Sequence, residues 1–265
     1  MDFVSFLKLP CDNLFLGDPG TNGRNKLSPH LMTRNDEMAL KAVFFDAAGI
    51  LYTRGGHTEE FALDLLRQNG FNPQVSPEQH EKQLGLREQA NKGLLDHAAY
   101  WDEFLAMRGV MDRHQRAQLT AEIENYSNNV QPIPGVRETL QELRKRGFLL
   151  GIITDTMYPI EWKMLRLEKV GVADLIDIVA CSTSLGVHKP DPAIYSHALD
   201  QTGMAHGEAV FVGHLGSELQ GAHSAGMLTI AIDPALQENA DHCFRTLPEI
   251  LALPILQITS AATVC

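Results

Sequence analysis

The sequence predicts an α/β fold in which a doubly wound parallel sheet carries an inserted, all-helical subdomain. From residue 134 onward, short apolar segments rich in β-branched residues alternate with helical patterns. This alternation is typical of strand–helix–strand units, which build a parallel sheet with helices on both faces. A similar apolar segment, KAVFFD at 41–46, stands apart from the others, because residues 58–130 show only helical patterns. One sheet, interrupted after its first strand by a helical insert, is the simplest interpretation.

Local signals place the individual elements. In the insert, Thr58 is predicted to cap a helix that ends at Gly70, and Asp96 to cap another that ends at Gly109. After the insert, the predicted strands are FLLGIIT, IDIVA, AVFVG and MLTIAI. The helices between them each stop at a glycine, the residue that most readily adopts the left-handed conformation at a helix end.

The chain is predicted to have four parts. Residues 1–38 include LGDPGTNGRNKLSPH, which is crowded with turn-forming residues, and we expect a poorly structured extension or arm outside the core. The sheet domain comprises residues 39–57 and 131–255. The helical insert comprises residues 58–130, and residues 256–265 form a C-terminal tail.

Composition excludes several classes of function. The 265 residues contain 22 Lys and Arg against 33 Asp and Glu, a formal net charge of −11. This balance argues against nucleic acid and anionic membranes as partners, because both need a basic surface. Four widely spaced cysteines lack metal-binding spacing, and we expect reduced thiols in a cytoplasmic protein: Cys11, Cys181, Cys243 and Cys265. A small, anionic molecule is the expected partner, and the oligomeric state is not readable from the sequence.

Polar side chains with catalytic potential follow the predicted strands. In a doubly wound sheet the ligand binds at the carboxyl ends of the strands, so these side chains are expected to meet there. Together they offer a nucleophile, a hydroxyl, an ammonium group and a possible metal-binding pair, a set suited to processing an anion. The residues are Asp46, Thr154, Asp155, Lys189, His214 and Glu218.

These segments resemble the four motifs of the haloacid dehalogenase-like (HAD) superfamily, subfamily I, in which a helical C1 cap lies between the first and second motifs. The matching segments occur in the family's order as VFFDAAGIL, GIITDT, LGVHKPDPAIY and VGHLGSELQGAHSAGM, and the resemblance covers about residues 39–255. The ending, ADHCFRTLPEILALPIL, is similar to the family's last strand and helix. The resemblance implies a Rossmann-like core and a hydrolase acting on a small phosphorylated or otherwise activated metabolite.

The resemblance also implies roles for individual residues. Asp46 would attack a phosphoryl group and form an aspartyl intermediate. Thr154 would donate its hydroxyl to a nonbridging oxygen, and Lys189 would neutralise charge on the phosphoryl group and on Asp46. The cap and the loop after the nucleophile select the substrate in this family. We therefore expect anion contacts from Tyr52, Arg54, His57 and Asp155, with a simply solvated Arg54 as the alternative.

A divalent cation, usually Mg²⁺ in this family, would bridge Asp46, the backbone carbonyl of Ala48 and a carboxylate of the fourth motif. Here that motif begins Gly213-His214 where the family usually has Gly-Asp, and Glu218 is the remaining carboxylate. An imidazole replaces a hard oxygen ligand, so Mg²⁺ affinity is expected to fall, while Mn²⁺ or Zn²⁺ would be better tolerated. The alternative is that His214 binds no metal and forms a hydrogen bond near Asp46.

Ala48 is the second departure from the family. Phosphatases of this family have an Asp there, which protonates the leaving oxygen and then activates water. Loss of a general acid/base typically slows a reaction by ~10²–10⁴-fold, so we expect weakened hydrolysis of alkyl phosphate esters, with acyl phosphates and anhydrides least affected. His57 is the candidate replacement.

Three hypotheses therefore stay open. The first is a HAD-like hydrolase with weakened phosphatase chemistry through Asp46. The second is a non-catalytic protein of the same fold that binds a ligand or a partner. The third is a dehalogenase- or phosphonatase-like hydrolase, for which Lys82 and Lys92 are the available cap lysines.

Overall fold

The computed structural model describes residues 39–257, which contain eight strands. Six of them form one parallel sheet in the order β5-β4-β1-β6-β7-β8, and the other two pair with each other in antiparallel fashion. The strands are β1 (Ala42–Phe45), β2 (Tyr52–Thr53), β3 (Gln131–Pro132), β4 (Leu149–Thr154), β5 (Ile178–Cys181), β6 (Ala209–Gly213), β7 (Leu228–Ile232) and β8 (His242–Phe244). The predicted extension at 1–38, and the predicted tail from residue 258 onward, lie outside the described residues.

Nine α-helices accompany the strands in the described part of the chain. They are α1 (Thr58–Gln68), α2 (Pro77–Asn91), α3 (His97–Ala106), α4 (Arg113–Asn128), α5 (Val136–Lys145), α6 (Ile160–Lys169), α7 (Ser182–Leu185), α8 (Pro192–Thr202) and α9 (Gly216–Ser224). The first four follow one another without an intervening strand and form the insert. None of the helices between residues 39 and 257 is long and apolar enough to cross a lipid bilayer.

Two apolar layers cover the sheet, one on each face. Alternate residues of a strand point to opposite faces, so Val43 and Phe45 of β1 join one layer and Phe44 joins the other. Helices α5 and α6 contribute to the first layer, and α8 and α9 to the second. The insert has an apolar core of its own, in which Trp101 and Phe104 are fully buried. The predicted α/β class and the helical insert are therefore observed.

Helix starts in the insert show one error of the sequence analysis. Asp96 caps α3 as predicted, because its carboxylate accepts hydrogen bonds from the next turn of backbone. Thr58, in contrast, is the first helical residue of α1 rather than its cap, and the preceding His57 makes no side-chain capping bond. The hydroxyl of Thr58 instead accepts a hydrogen bond from Arg54 Nη1 at 3.2 Å.

Two helices that the sequence analysis did not delimit, α2 and α4, also begin at side-chain caps. Ser76 and Gln79 exchange hydrogen bonds as a capping box before α2. Asp112 accepts the backbone N–H of Gln115 at the start of α4. These signals are local and readable in the sequence.

The end of the described chain also differs from the expectation. After β8, residues Leu247–Ala252 and Pro254–Leu256 form 3₁₀ helices instead of an α-helix. Pro254 has no N–H to donate, so it interrupts any longer helix. Leu256 is fully buried, which extends the packed region one residue past the predicted boundary.

Candidate active site

Asp46 lies at the carboxyl edge of the sheet, directly after the interior strand β1. Because β1 pairs with β4 on one side and β6 on the other, the carboxylate has a strand end to each side. Its backbone N–H donates to the carbonyl of Val212 at 2.9 Å, and only 6% of the residue is exposed. A buried carboxylate needs a charged partner.

Lys189 is that partner. Its Nζ donates to Asp46 Oδ1 at 2.6 Å and lies 3.0 Å from Glu218 Oε1. Burial alone would lower the pKa of Lys189, but the carboxylates of Asp46 and Glu218 outweigh burial and hold this pKa above its ordinary value. The ammonium group is therefore charged and bridges two carboxylates, as the predicted role in charge neutralisation requires.

Asp155 and Thr154, at the end of β4, stand beside this ion pair. The carboxylate of Asp155 accepts the backbone N–H of Lys189 at 3.0 Å, which holds the lysine loop against the sheet. Burial raises the pKa of Asp155, and Lys189 opposes that rise. Thr154 is buried, and its hydroxyl lies 3.5 Å from the carbonyl of Asp155. The side chain of Thr154 makes no hydrogen bond with Asp46 in the described structure; strand pairing alone places it at the neighbouring strand end.

Glu218 projects from the first turn of α9. One carboxylate oxygen faces Lys189, and the other, Oε2, is buried without a hydrogen-bond partner. Burial raises the pKa of Glu218 to about 7, with Asp46 adding to the rise and Lys189 opposing it. The hydroxyl of Tyr195 donates to the backbone carbonyl of Glu218 at 2.7 Å and fixes this helix start.

His214 follows β6 and packs against the loop after Asp46. Its Nδ1 lies 3.5 Å from Asp46 Oδ2, which is longer than an ordinary N–H···O hydrogen bond, and this nitrogen is buried without a partner. The ring occupies the space that a Cβ at Gly49 would need, at 2.9 Å from two ring atoms. Gly49 also has a φ of +86°, so a glycine there permits both the turn and the close approach of the imidazole.

Lys189 lies among the predicted cation ligands. Mg²⁺ requires near-octahedral oxygen coordination, whereas the position between Asp46 and Glu218 is taken by Nζ of Lys189. Within residues 39–257, no group of three or more His, Cys, Asp or Glu side chains is arranged to hold a metal ion. The cation site predicted from Asp46, the Ala48 carbonyl, His214 and Glu218 therefore stays a prediction, and no chemical step below depends on it.

A cavity of about 660 Å³ lies beside this cluster, between the insert and the sheet domain. Ala48, Gly49, Asp155 and His214 line it on the side of Asp46. Leu63 and Trp101 are among the lining residues that the insert contributes. The cavity is of the size that small metabolites occupy in enzymes.

Three residues predicted to contact a substrate anion also line the cavity: Tyr52, Arg54 and His57. Besides Arg87 of α2, two further cations that were not predicted from the sequence line it, Lys163 and Arg166 of α6. These two lie three residues apart, a spacing that puts them on the same face of a helix. Two cations at that spacing, in the helix that follows GIITDT, are the sequence feature that could have indicated these cavity residues.

Comparisons with known proteins agree with this geometry. The profile of a family described as "haloacid dehalogenase-like hydrolase" matches residues 43–232. Glyceraldehyde 3-phosphate phosphatase of Methanopyrus kandleri is 30% identical over 200 residues, which cover 73% of this chain and 84% of that protein. Ribulose-1,5-bisphosphate 5-phosphatase of Halopiger xanaduensis is 30% identical over 142 residues, 48% of this chain and 59% of that protein.

A solved structure shares the fold as well. The 2-haloacid dehalogenase from Pseudomonas syringae pv. Tomato DC3000 superposes with a TM-score of 0.58 at 27% identity, covering 80% of this chain and 96% of the other. The parallel sheet and the helical insert after β1 fit the subfamily with a C1 cap. The chain belongs to the family of haloacid dehalogenase-like hydrolases.

Proposed function

We propose that the protein is a phosphatase that hydrolyses a small phosphorylated metabolite through Asp46. The observation that carries the proposal is the buried contact of 2.6 Å between Lys189 Nζ and Asp46 Oδ1, beside a cavity of about 660 Å³. Membership of a hydrolase family supports it, as do relatives that are named phosphatases at 30% identity.

In the proposed reaction, a carboxylate oxygen of Asp46 attacks phosphorus in line with the leaving group. The bond from phosphorus to the leaving oxygen breaks, and an aspartyl phosphate forms. Water then attacks phosphorus, which releases inorganic phosphate and restores the carboxylate. Lys189 lowers the repulsion between Asp46 and the incoming dianion, and its charge is in place before the substrate binds. Thr154, at the next strand end, is the proposed hydrogen-bond donor to a nonbridging oxygen.

Protonation of the leaving group is the weak point of this site. The side chain at position 48 is a methyl group, so it cannot deliver a proton. We infer that substrates whose leaving group is stable as an anion, such as acyl phosphates and anhydrides, react faster than alkyl esters, by a factor on the order of 10²–10⁴. His57 lines the cavity and stays the predicted replacement acid.

The test is phosphate release by the purified full chain from acetyl phosphate, p-nitrophenyl phosphate and glycerol phosphate. Each is assayed with EDTA, Mg²⁺, Mn²⁺ or Zn²⁺. We expect acetyl phosphate to be hydrolysed fastest, and Asp46→Asn to reduce release by more than about 10³-fold, because the nucleophile is gone. Release from Asp46→Asn at the wild-type rate contradicts the role of Asp46. No release under any condition supports the non-catalytic hypothesis instead.

Similarity to a 2-haloacid dehalogenase favours a second candidate function, hydrolysis of a carbon–halogen bond. The assay is halide release from 2-chloropropionate under the same conditions. We expect none, since the relatives at 30% identity are named phosphatases, whereas the dehalogenase is 27% identical. Halide release lost in Asp46→Asn would replace the phosphatase proposal.

A cytoplasmic location and a small anionic partner complete the proposal. The partner follows from the phosphatase chemistry, and the relatives' names support it. Fractionation of the source cells tests the location.

A further inference from the structure

Apart from Arg87, which pairs with Glu59, three cations line the cavity: Arg54, in the loop after β2, and Lys163 and Arg166, on α6. We call them the cationic cluster. Lys163 is 2% exposed and Arg166 is 1% exposed. No carboxylate within residues 39–257 forms an ion pair with any of the three. Buried charges without a counter-ion are unfavourable, so such a cluster needs a reason.

The hydrogen-bond partners of the cluster are neutral. Lys163 Nζ donates to the hydroxyl of Tyr52 at 3.1 Å. Arg166 donates to Asn128 Oδ1 and to Ser127 Oγ, both at 2.9 Å. These bonds hold the cations in fixed positions, but they leave the net positive charge in place.

The pKa of Tyr52 reflects the positive electrostatic potential that the cationic cluster creates. Burial alone would raise the pKa of its phenol, but Lys163, Arg166 and Arg54 together outweigh burial and hold this pKa below its ordinary value. The space around the phenol oxygen therefore stabilises negative charge.

The carboxylates elsewhere in the cavity do not neutralise the cluster. Glu59 pairs with Arg87 at 2.7 Å, and Asp155 accepts the backbone N–H of Lys189. Glu60 is exposed in the first turn of α1. The positive charge of the cluster is thus available to a ligand.

We propose that the cationic cluster binds a second anionic group of the substrate, a carboxylate or a phosphate, while the phosphoryl group reacts at Asp46. This inference rests on the proposed phosphatase function and narrows its substrate class to metabolites with two anionic ends. The two ends of the site are connected, because the carbonyl of Tyr52 accepts the backbone N–H of Gly49 at 2.8 Å.

The test measures binding of three phosphonates, whose C–P bonds are not substrates for phosphate-ester hydrolysis. They are propylphosphonate, 3-phosphonopropionate and propane-1,3-bisphosphonate, titrated into the full chain by calorimetry. We expect the two compounds with a second anionic group to bind at least about tenfold more tightly than propylphosphonate. The tighter of the two identifies the second group as carboxylate or phosphate.

Variants test whether the gain in affinity from a second anionic group depends on the cationic cluster. Lys163→Met and, separately, Arg54→Gln are expected to reduce the gain to about threefold or less. Lys145→Met, a change at a side chain that is 77% exposed on α5, should keep the full gain. Thermal melting checks that each variant is folded.

Equal Kd values for the three phosphonates in the wild type overturn the inference, as does an unchanged gain in both cluster variants. Such results leave the phosphatase proposal intact if acetyl phosphate is hydrolysed through Asp46. Conversely, selective binding without hydrolysis of any phosphate compound removes the proposed function and leaves an anion-binding site.

Discussion

Two groups of buried cations in this molecule have opposite surroundings. Lys189 lies between the carboxylates of Asp46 and Glu218, at 2.6 and 3.0 Å. Lys163 and Arg166 are similarly buried, but their side chains donate hydrogen bonds to neutral groups. The charge of Lys189 is neutralised by carboxylates of the protein itself, next to the proposed nucleophile. The charges of Lys163 and Arg166 are not neutralised, so they remain available to an anionic ligand.

Removing the paired cation is expected to have the largest effect. Lys189→Met leaves two buried carboxylates without a counter-ion, so we expect a loss of about 3–5 kcal/mol in the free energy of unfolding. Phosphate release should fall by more than about 10³-fold, since Asp46 then repels the substrate. Urea unfolding and the acetyl phosphate assay measure the two losses. Lys145→Met is the matched control, and stability equal to that of the control would show that the ion pair contributes nothing.

Adding a carboxylate beside Asp46 tests the site of the paired cation by a gain of activity instead of a loss. Ala48→Asp supplies the proton donor that phosphatases of this family have, and we expect hydrolysis of glycerol phosphate to rise by about tenfold or more. Acetyl phosphate hydrolysis should change much less, because its leaving group needs no proton. An unchanged rate with glycerol phosphate would mean that the loop does not place residue 48 at the leaving oxygen.

Removing an unpaired cation should change the free energy of unfolding in the opposite direction. Without ligand, Lys163→Met is expected to raise the free energy of unfolding by about 1 kcal/mol, because a buried charge without a counter-ion disappears. The variant loses ligand affinity while it gains stability, a combination that Lys189→Met cannot show. Urea unfolding measures the change, and a loss of more than about 1 kcal/mol would contradict the comparison.

The smallest expected effect is spectroscopic. The pKa of Tyr52 is lowered, whereas burial raises the pKa values of Tyr100, Tyr158 and Tyr195. A lowered pKa in the folded state adds stability above the ordinary pKa, and this contribution disappears as the pH falls through the lowered value. Ultraviolet titration should show that the wild type forms a phenolate at lower pH than Tyr52→Phe does. If Lys163→Met leaves that titration unchanged, the cluster does not create the positive potential.

Lys189 and Arg54 could be predicted from the sequence as site residues, but Lys163 and Arg166 could not. Asp46 and Lys189 each sit in a recognisable motif, and strand order alone brings such motifs to one edge of a parallel sheet. Lys163 and Arg166 become cavity residues only because the insert packs over α6. Asn128, which bonds Arg166, lies 38 positions away in sequence. Contacts of that kind depend on tertiary packing, and the three-residue spacing of the two cations does not show which element will cover them.

Errors at element boundaries have similarly specific causes. Thr58 has the side chain of a helix cap, but Arg54 engages its hydroxyl and the helix begins one residue earlier than a Thr58 cap would allow. The β2–β3 pair has two residues in each strand, too few for an alternating pattern to be visible. The fold class, in contrast, follows from repeated strand–helix alternation. Many residues contribute to this pattern, so an error at one boundary does not change the prediction.

The bonds of Arg166 join the two parts of the molecule. Its guanidinium comes from α6 of the sheet domain, while Ser127 and Asn128 belong to the last turn of α4 in the insert. An outward movement of the insert would break both bonds and expose this cation to water. The proposed site for a second anionic group would then be complete only while the insert stays in place, so a bound dianion would stabilise the contact between the two parts.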